Sequence, residues 1–400
     1  MMEGLDRRAL LGGMGAMAGA ALLPGCVDGR GAGPALPTLP GPGLDTIARP
    51  KNLHVGTCLS WSRPGADAGS LANPRFAALV EHDCGIAVPE NALKWQASRP
   101  AADRFDFARF DAILTNAERR GLAMRGHTLL WHYDKWFPRW LLDYDFGAQP
   151  AAAAGRLLQT HIETVCRRYG TRIYSYDVVN EAVDPADGSL RSTALSRAMG
   201  GAEPVLDLAF RTARAAAPHA ELVYNDYMSW EDGNQKHREG VLRLLEGFRA
   251  RGTPVDALGV QSHIGVFEPV TSIEALVARL TPDWRSFLDR VIAMGYRLVV
   301  TEFDVRDRGL PAALPQRDAD IAAFARAYLD VMLSYPQLND LLCWGLSDRW
   351  SWLRGFEPRA DGQITRGLPY DVDLAPKPLY AALRDAIAAA PARPPRPTRA

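Results

Sequence analysis

The 400-residue sequence predicts an α/β fold, a single (β/α)8 TIM barrel over residues 49–387. Three observations carry that expectation. Short apolar runs alternate with longer helix-like segments, the pattern of a parallel sheet wrapped by crossover helices. Eight such runs can be counted. Polar or aromatic residues stand at the C-terminal ends of seven of them, where barrels of this kind keep their chemistry.

Taken in order, the chain opens with a targeting segment, residues 1–26. Arg7-Arg8 precede a weakly apolar run from Ala9 to Pro24, which ends at Leu23-Pro24-Gly25-Cys26. This resembles a bacterial twin-arginine export signal, and its ending resembles a lipoprotein cleavage box. The expectation is an exported protein (periplasmic, envelope-bound or secreted), in contact with membrane only if Cys26 carries a lipid anchor. Residues 27–48, rich in glycine and proline from Gly29 to Pro42, read as a flexible linker.

The strand candidates are Leu53–Leu59, Gly85–Val88, Ala123–Trp131, Ile173–Val179, Leu222–Asn225, Ala257–Ser262, Leu298–Glu302 and Leu341–Leu346. Helical stretches fall at 73–82, 106–120, 151–169, 203–217, 235–251, 283–294 and 318–334. Asn73-Pro74 and Thr281-Pro282-Asp283 read as helix starts. Residues 388–400, alanine, proline and arginine, read as a ragged tail. No internal repeat exists beyond the alternation itself.

Composition narrows the partners. Lysine plus arginine equals aspartate plus glutamate at 46 each, so nothing suggests nucleic acid or anionic lipid as a bulk electrostatic partner. Ten tryptophans suit either a core or a sugar-binding cleft. Cys58, Cys84, Cys166 and Cys343 allow three disulfide pairings; Cys58 and Cys343 lie in the first and last strands, which a closed barrel makes neighbours. A 58–343 bridge and four free buried thiols both stay open. No Cys/His cluster has metal-ligand spacing and no glycine-rich loop opens a helix, so neither metal nor cofactor is expected. A monomer is expected.

Two stretches carry the chemistry. Leu298-Val299-Val300-Thr301-Glu302-Phe303-Asp304 and Ile173-Tyr174-Ser175-Tyr176-Asp177-Val178-Val179-Asn180-Glu181 each run a buried strand into a glutamate. A carboxyl pair of that kind is what glycoside hydrolysis requires, one as acid/base and one as nucleophile or base. Other strand ends bear Glu90, Asn91 and Lys94; His127, Trp131 and His132; Asn225, Asp226 and Tyr227; Gln261 and His263; and Trp344, followed by Trp352.

At these positions the chain resembles glycoside hydrolase family 10, typically endo-β-1,4-xylanases. The matching motifs are Glu90-Asn91-Ala92-Leu93-Lys94-Trp95, Arg125-Gly126-His127-Thr128-Leu129-Leu130-Trp131-His132, Asp177-Val178-Val179-Asn180-Glu181-Ala182, Tyr224-Asn225-Asp226-Tyr227, Gln261-Ser262-His263, Thr301-Glu302-Phe303-Asp304 and Trp344-Gly345-Leu346-Ser347-Asp348 with Trp352. The resemblance implies xylan and xylo-oligosaccharides as partners, Glu181 as general acid/base and Glu302 as nucleophile of a retaining mechanism. It further implies Asn180 at the sugar 2-hydroxyl, and a His263–Asp304 pair keeping Glu302 ionised. Glu90, Asn91, Lys94, His127, Trp131 and Gln261 would line the glycone side. Trp344 and Trp352 would crowd a hydroxymethyl group on C5, and Tyr227 would stack on the aglycone side.

Adjacent strand residues face opposite ways, so Asn180 and Glu181 can share a cleft only if the strand turns or bulges there. Tyr133, Asp134, Met228 and Trp350 depart from the family pattern, and the loop before Pro138 and Trp140 is lengthened. These departures bear on the distal subsites. Two alternatives remain: hydrolysis of another β-1,4-glycan, such as cellulose or mixed-linkage glucan, and a non-catalytic oligosaccharide-binding protein.

Overall fold

The computed structural model describes residue 37 and residues 39–397. The export motif and Cys26 lie outside the described residues. Nine strands form one sheet: β1 (His54–Leu59), β2 (Ile86–Pro89), β3 (Ala123–Trp131), β4 (Ile173–Asn180), β5 (Glu221–Asp226), β6 (Ala257–Val260), β7 (His263–Gly265), β8 (Arg297–Arg306) and β9 (Leu338–Cys343). All are parallel. β1 to β6 pair in sequence, β6 pairs with β8, β8 with β9, and β9 returns to β1, which closes an eight-stranded barrel. β7 pairs only with β8, beyond the end of β6.

Eight longer helices follow the strands: α1 (Pro74–Asp83), α2 (Ala108–Glu118), α3 (Pro150–Tyr169), α4 (Ala202–Ala216), α5 (Gln235–Ala250), α6 (Ile273–Ala293), α7 (Leu314–Met332) and α8 (Pro378–Ala389). α1 starts as its sequence predicts, with the Asn73 side chain accepting from Arg75 N and Pro74 filling a position that needs no N–H. α6 starts ten residues before the expected start at 283. Ser272 caps it, and Pro282 sits inside the helix instead of opening it. Thr281 Oγ1, one residue before the proline, donates back to Val277 O at 2.8 Å.

Both flanks of the barrel differ from expectation. The linker expected to reach residue 48 ends sooner, because Leu44–Ala48 is helical with Leu44, Asp45 and Ala48 buried. Asp45 Oδ1 accepts from Val55 N at 2.8 Å, tying that turn to β1. At the other end, α8 runs through Ala389. Arg393 is then buried, donating to Leu338 O and to Leu333 O.

The described cysteines are all free and buried. Cys343 stands opposite Thr57 in the β1–β9 register, so Cys58 and Cys343 are one residue apart on the pleat. Cys58 therefore points into the barrel, among Val88, Val223, Val299 and Leu342, while Cys343 points outward into the helix-facing core. Opposite faces rule out the bridge.

Candidate active site

The C-terminal mouth of the barrel gathers the strand-end residues, and two backbone kinks make this possible. Glu181 follows the last residue of β4 with φ +56°, and Ser262 has φ +63° between β6 and β7. An αL residue is uncommon outside glycine and reverses the alternation of a strand. Asn180 and Glu181 thereby reach the same cleft, with Asn180 Nδ2 donating to Glu181 Oε1 at 3.1 Å. Gln261 and His263 do likewise, while the Ser262 hydroxyl turns to Tyr328 Oη at 2.8 Å.

Glu302 lies within β8 rather than at its end, because pairing of β7 to Asp304, Val305 and Arg306 prolongs the strand past the glutamate. The residue is almost closed off, 5% exposed. Oε1 accepts from Asn225 Nδ2 at 2.8 Å and Oε2 faces His263 Nε2 at 3.3 Å. His263 Nδ1 is 2.9 Å from Asp304 Oδ1, and Trp352 Nε1 donates to Asp304 Oδ2 at 2.6 Å. The expected His263–Asp304 pair is present, and Trp352 belongs to the same chain of contacts.

Glu181 is half-buried. Oε1 accepts from Gln261 Nε2 at 2.9 Å as well as from Asn180, and Oε2 accepts from Trp131 Nε1 at 2.9 Å. Asn225 Nδ2 also donates to Asn180 Oδ1 at 2.8 Å, so two side-chain amides bridge Glu181 to Glu302. Thr301 Oγ1 fixes the Asn225 carbonyl at 2.7 Å.

The electrostatics push the two carboxyls apart. Burial raises the Glu181 pKa, and the charges of Asp226 and Glu302 add to this against the Gln261 and Trp131 hydrogen bonds; the net direction is up. Burial alone would raise Glu302 too. The His263 hydrogen bond and the charges of His127, His263 and Lys94 outweigh it and hold Glu302 below an ordinary glutamate. Burial pulls His263 down, but Asp304 and Glu302 lift it to about 9, so it is protonated at neutral pH.

The remaining residues line one flank. Lys94 is buried and donates to Asn91 Oδ1 at 2.9 Å, with its ammonium 4.6 Å from the Trp131 ring and 5.9 Å from that of Trp344. Loss of hydration lowers its pKa against the pull of Glu302, Glu90 and Glu181. Glu90 accepts from the Ser60 hydroxyl. His127 Nδ1 meets Asp177 Oδ2 at 2.9 Å, and Asp177 is paired to buried Arg125 at 2.6 Å. Tyr227 is half-buried across the mouth, its hydroxyl accepting from Arg191 at 2.9 Å.

Of the departures from the family pattern, Met228 is fully buried in the core and meets no cleft. Trp350 packs edge-on against Phe76, with its N–H on Asp67. Asp134 accepts from Ala194 N at 2.8 Å and Arg197 at 2.9 Å, so it secures a loop.

Profile comparison places residues 43–386 within "Glycosyl hydrolase family 10". The chain belongs to that family. Among curated relatives, endo-1,4-beta-xylanase 3 of Hypocrea jecorina is 30% identical, the match covering 84% of this chain and 82% of the relative. Endo-1,4-beta-xylanase B of Thermotoga neapolitana is 27% identical over 86% of this chain and 90% of its own. Among solved structures, native xylanase 10B from Thermotoga maritima superposes with a TM-score of 0.74 at 26% identity, covering 86% of this chain and 98% of that one. Xylanase 10B from Thermotoga petrophila, solved with xylobiose, gives 0.74 at 25% identity, covering 88% and 98%.

Several members of this family 10 site had no role assigned from the sequence, although Asn225 and Asp226 were named at a strand end. Asn225 and Asp177 sat inside quoted motifs, but nothing in a linear pattern assigns an amide to bridge two acids. Arg191 arrives from an irregular loop ten residues after Glu181; it donates to Glu181 O at 3.1 Å and to Tyr227, and stacks 4.2 Å over Tyr133. Asp226 holds buried His237 at 3.0 Å, a contact made across the start of α5.

Proposed function

We propose that this chain is a retaining endo-β-1,4-xylanase, with Glu181 as acid/base and Glu302 as nucleophile. One observation carries the assignment: two acids at a single barrel mouth, joined through Asn180 and Asn225, with pKa values displaced in opposite directions. An acid must hold its proton at working pH, and a nucleophile must have lost it.

A Glu302 oxygen attacks the anomeric carbon as the glycosidic C–O bond breaks, and the Glu181 proton passes to the departing oxygen. Glu302 is then a neutral ester, so the repulsion that helped raise Glu181 disappears and its pKa falls. Glu181 next takes a proton from water, whose oxygen displaces Glu302 from the anomeric carbon. Asn180, anchored by Asn225, suits the 2-hydroxyl contact that strengthens at the oxocarbenium-like stage. Trp352, tied to Asp304, and Trp344 favour xylose over glucose by crowding a C5 hydroxymethyl group. The names of the relatives support xylan as the substrate.

The decisive experiment follows the anomer released from xylohexaose at early times. Retention with internal cleavage is expected. An inverted product removes Glu302 from the nucleophile role, and rates on carboxymethyl-cellulose matching those on xylan remove the substrate assignment. Glu302→Ala should abolish turnover.

A further inference from the structure

Trp136 lies in the loop after β3 and has no role in the reaction as derived above. Its ring stacks on that of Trp131, centroids 4.6 Å apart and planes 20° from parallel. The loop presenting it is held at both ends. Asp134 is fastened to Ala194 N and Arg197, and Phe137 is buried against Trp95 at 5.9 Å. Between these anchors Trp136 N closes a tight turn onto Tyr133 O at 2.9 Å. Trp131 thus has an indole stacked on its ring and the Lys94 ammonium 4.6 Å from its centre, while its N–H points at Glu181 Oε2.

We propose that Trp136 is a positioning residue for the general acid: by stacking on Trp131 it fixes the indole whose N–H holds the Glu181 carboxyl in line with the departing oxygen. This rests on the acid/base role given to Glu181 above. The physical reason is geometric. A side chain with two free torsions swings when nothing flat lies against it, and a misplaced acid loses much of its effect. Stacking restricts the swing without placing a new polar group in the cleft.

The consequence for proton affinity has a definite sign. Carboxylates 302 and 226 face Glu181 and raise its pKa, while Gln261 and Trp131 donate to it and lower it. The Lys94 ammonium and the Tyr224 and Tyr227 hydroxyls lie within electrostatic reach, and Arg191 binds its backbone oxygen. A charged neighbour of Trp136 itself is Lys135, its ammonium 4.9 Å from the ring, and Asp134 stands in the same turn. Freeing Trp131 removes a donor to the ionised form of Glu181, so the pKa rises further.

The test compares kcat/KM on xylopentaose, whose sugar leaving group needs a proton, with kcat/KM on 2,4-dinitrophenyl β-xylobioside, whose phenolate does not. For Trp136→Ala, xylopentaose should lose about tenfold and its basic limb should move to higher pH. The activated substrate should stay within about twofold, and Trp136→Phe should restore the xylopentaose rate. In a Trp131→Phe background, which lacks the N–H, adding Trp136→Ala should give no further selective loss. Equal losses on both substrates, or none on either, overturn the proposal. Trp136→Leu provides the same comparison if the alanine variant does not fold. A wild type inactive on both substrates overturns the functional reading together with this inference; an active wild type with an unaffected variant overturns this inference alone.

Discussion

At the residue scale, Glu302 is set by its neighbours rather than by depth. Burial acts on both acids in the same direction, yet only Glu181 ends above its ordinary value. The difference lies in His263, charged at neutral pH because Asp304 and Glu302 both face it. Replacing it with glutamine removes that charge and weakens the hydrogen bond, so Glu302 must titrate higher. The acidic limb of kcat/KM against pH should move up by about one unit; a limb that stays in place would separate His263 from the titration of Glu302. Stability is linked in a defined window. The His263 contribution is complete below its unfolded value of 6.5 and fades as pH rises through about 9. The Glu302 contribution is complete above 4.5 and fades on acidification. The pairing of His263 with Asp304 came from the family resemblance, whereas the two glutamates were legible because each closes an apolar run. The amide bridge was not, since Asn225 gains its role from neighbours on β4 and β8 far away in sequence.

At the scale of elements, register decides where these side chains arrive. Asn225 on β5 stands opposite Gly259 on β6. A Cβ added to Gly259 would lie 2.4 Å from Asn225 Oδ1 and 2.9 Å from a Val223 methyl. The missing side chain is the space in which the Asn225 amide reaches both Asn180 and Glu302. Gly259→Ala should therefore lower kcat on xylan by about tenfold or more while the protein stays folded, because Asn225 must move and the acids lose their common anchor. Unchanged kcat together with a circular dichroism spectrum like wild type would show that the amide is dispensable. Strand positions were readable to within a few residues from apolar runs, but strand ends were not. β8 outran its expected end because β7 pairs with it, and Leu341–Leu346 slid to Leu338–Cys343. The turn needed at Glu181 could be deduced from the alternation rule. The matching one at Ser262 follows from the same rule only once both flanking residues are known to face the cleft.

For the whole molecule, the two barrel mouths divide the work. Glu181 and Glu302 stand at the C-terminal mouth, and the opposite mouth carries polar groups that include the segment after α8. Asp340 and Tyr174 are joined at 2.9 Å, and Arg396 pairs with Asp340 while its guanidinium lies 4.3 Å over the Tyr174 ring. Asn339 Nδ2 donates to both Asn52 O and Pro394 O, so the segment joins the approach to β1 to the start of β9. Composition alone suggested a loose tail, because proline and arginine lack the periodicity of a helix or strand; burial of Arg393 depends on carbonyls at 333 and 338 that no linear pattern reveals. Those carbonyls lose charged donors in Arg393→Ala, which should cost on the order of 3 kcal/mol, a fall in Tm on the order of 5 °C. Since Arg393 bonds to the segments leading into β9, and the proposed catalytic pair Glu181 and Glu302 lies at the other mouth, kcat/KM on xylan below the transition should match wild type. Calorimetry alongside initial rates checks both halves. A variant equally stable would mean that the segment merely rests on the barrel. One that lost activity well below its Tm would mean that the two mouths are mechanically coupled through β9 and Trp344.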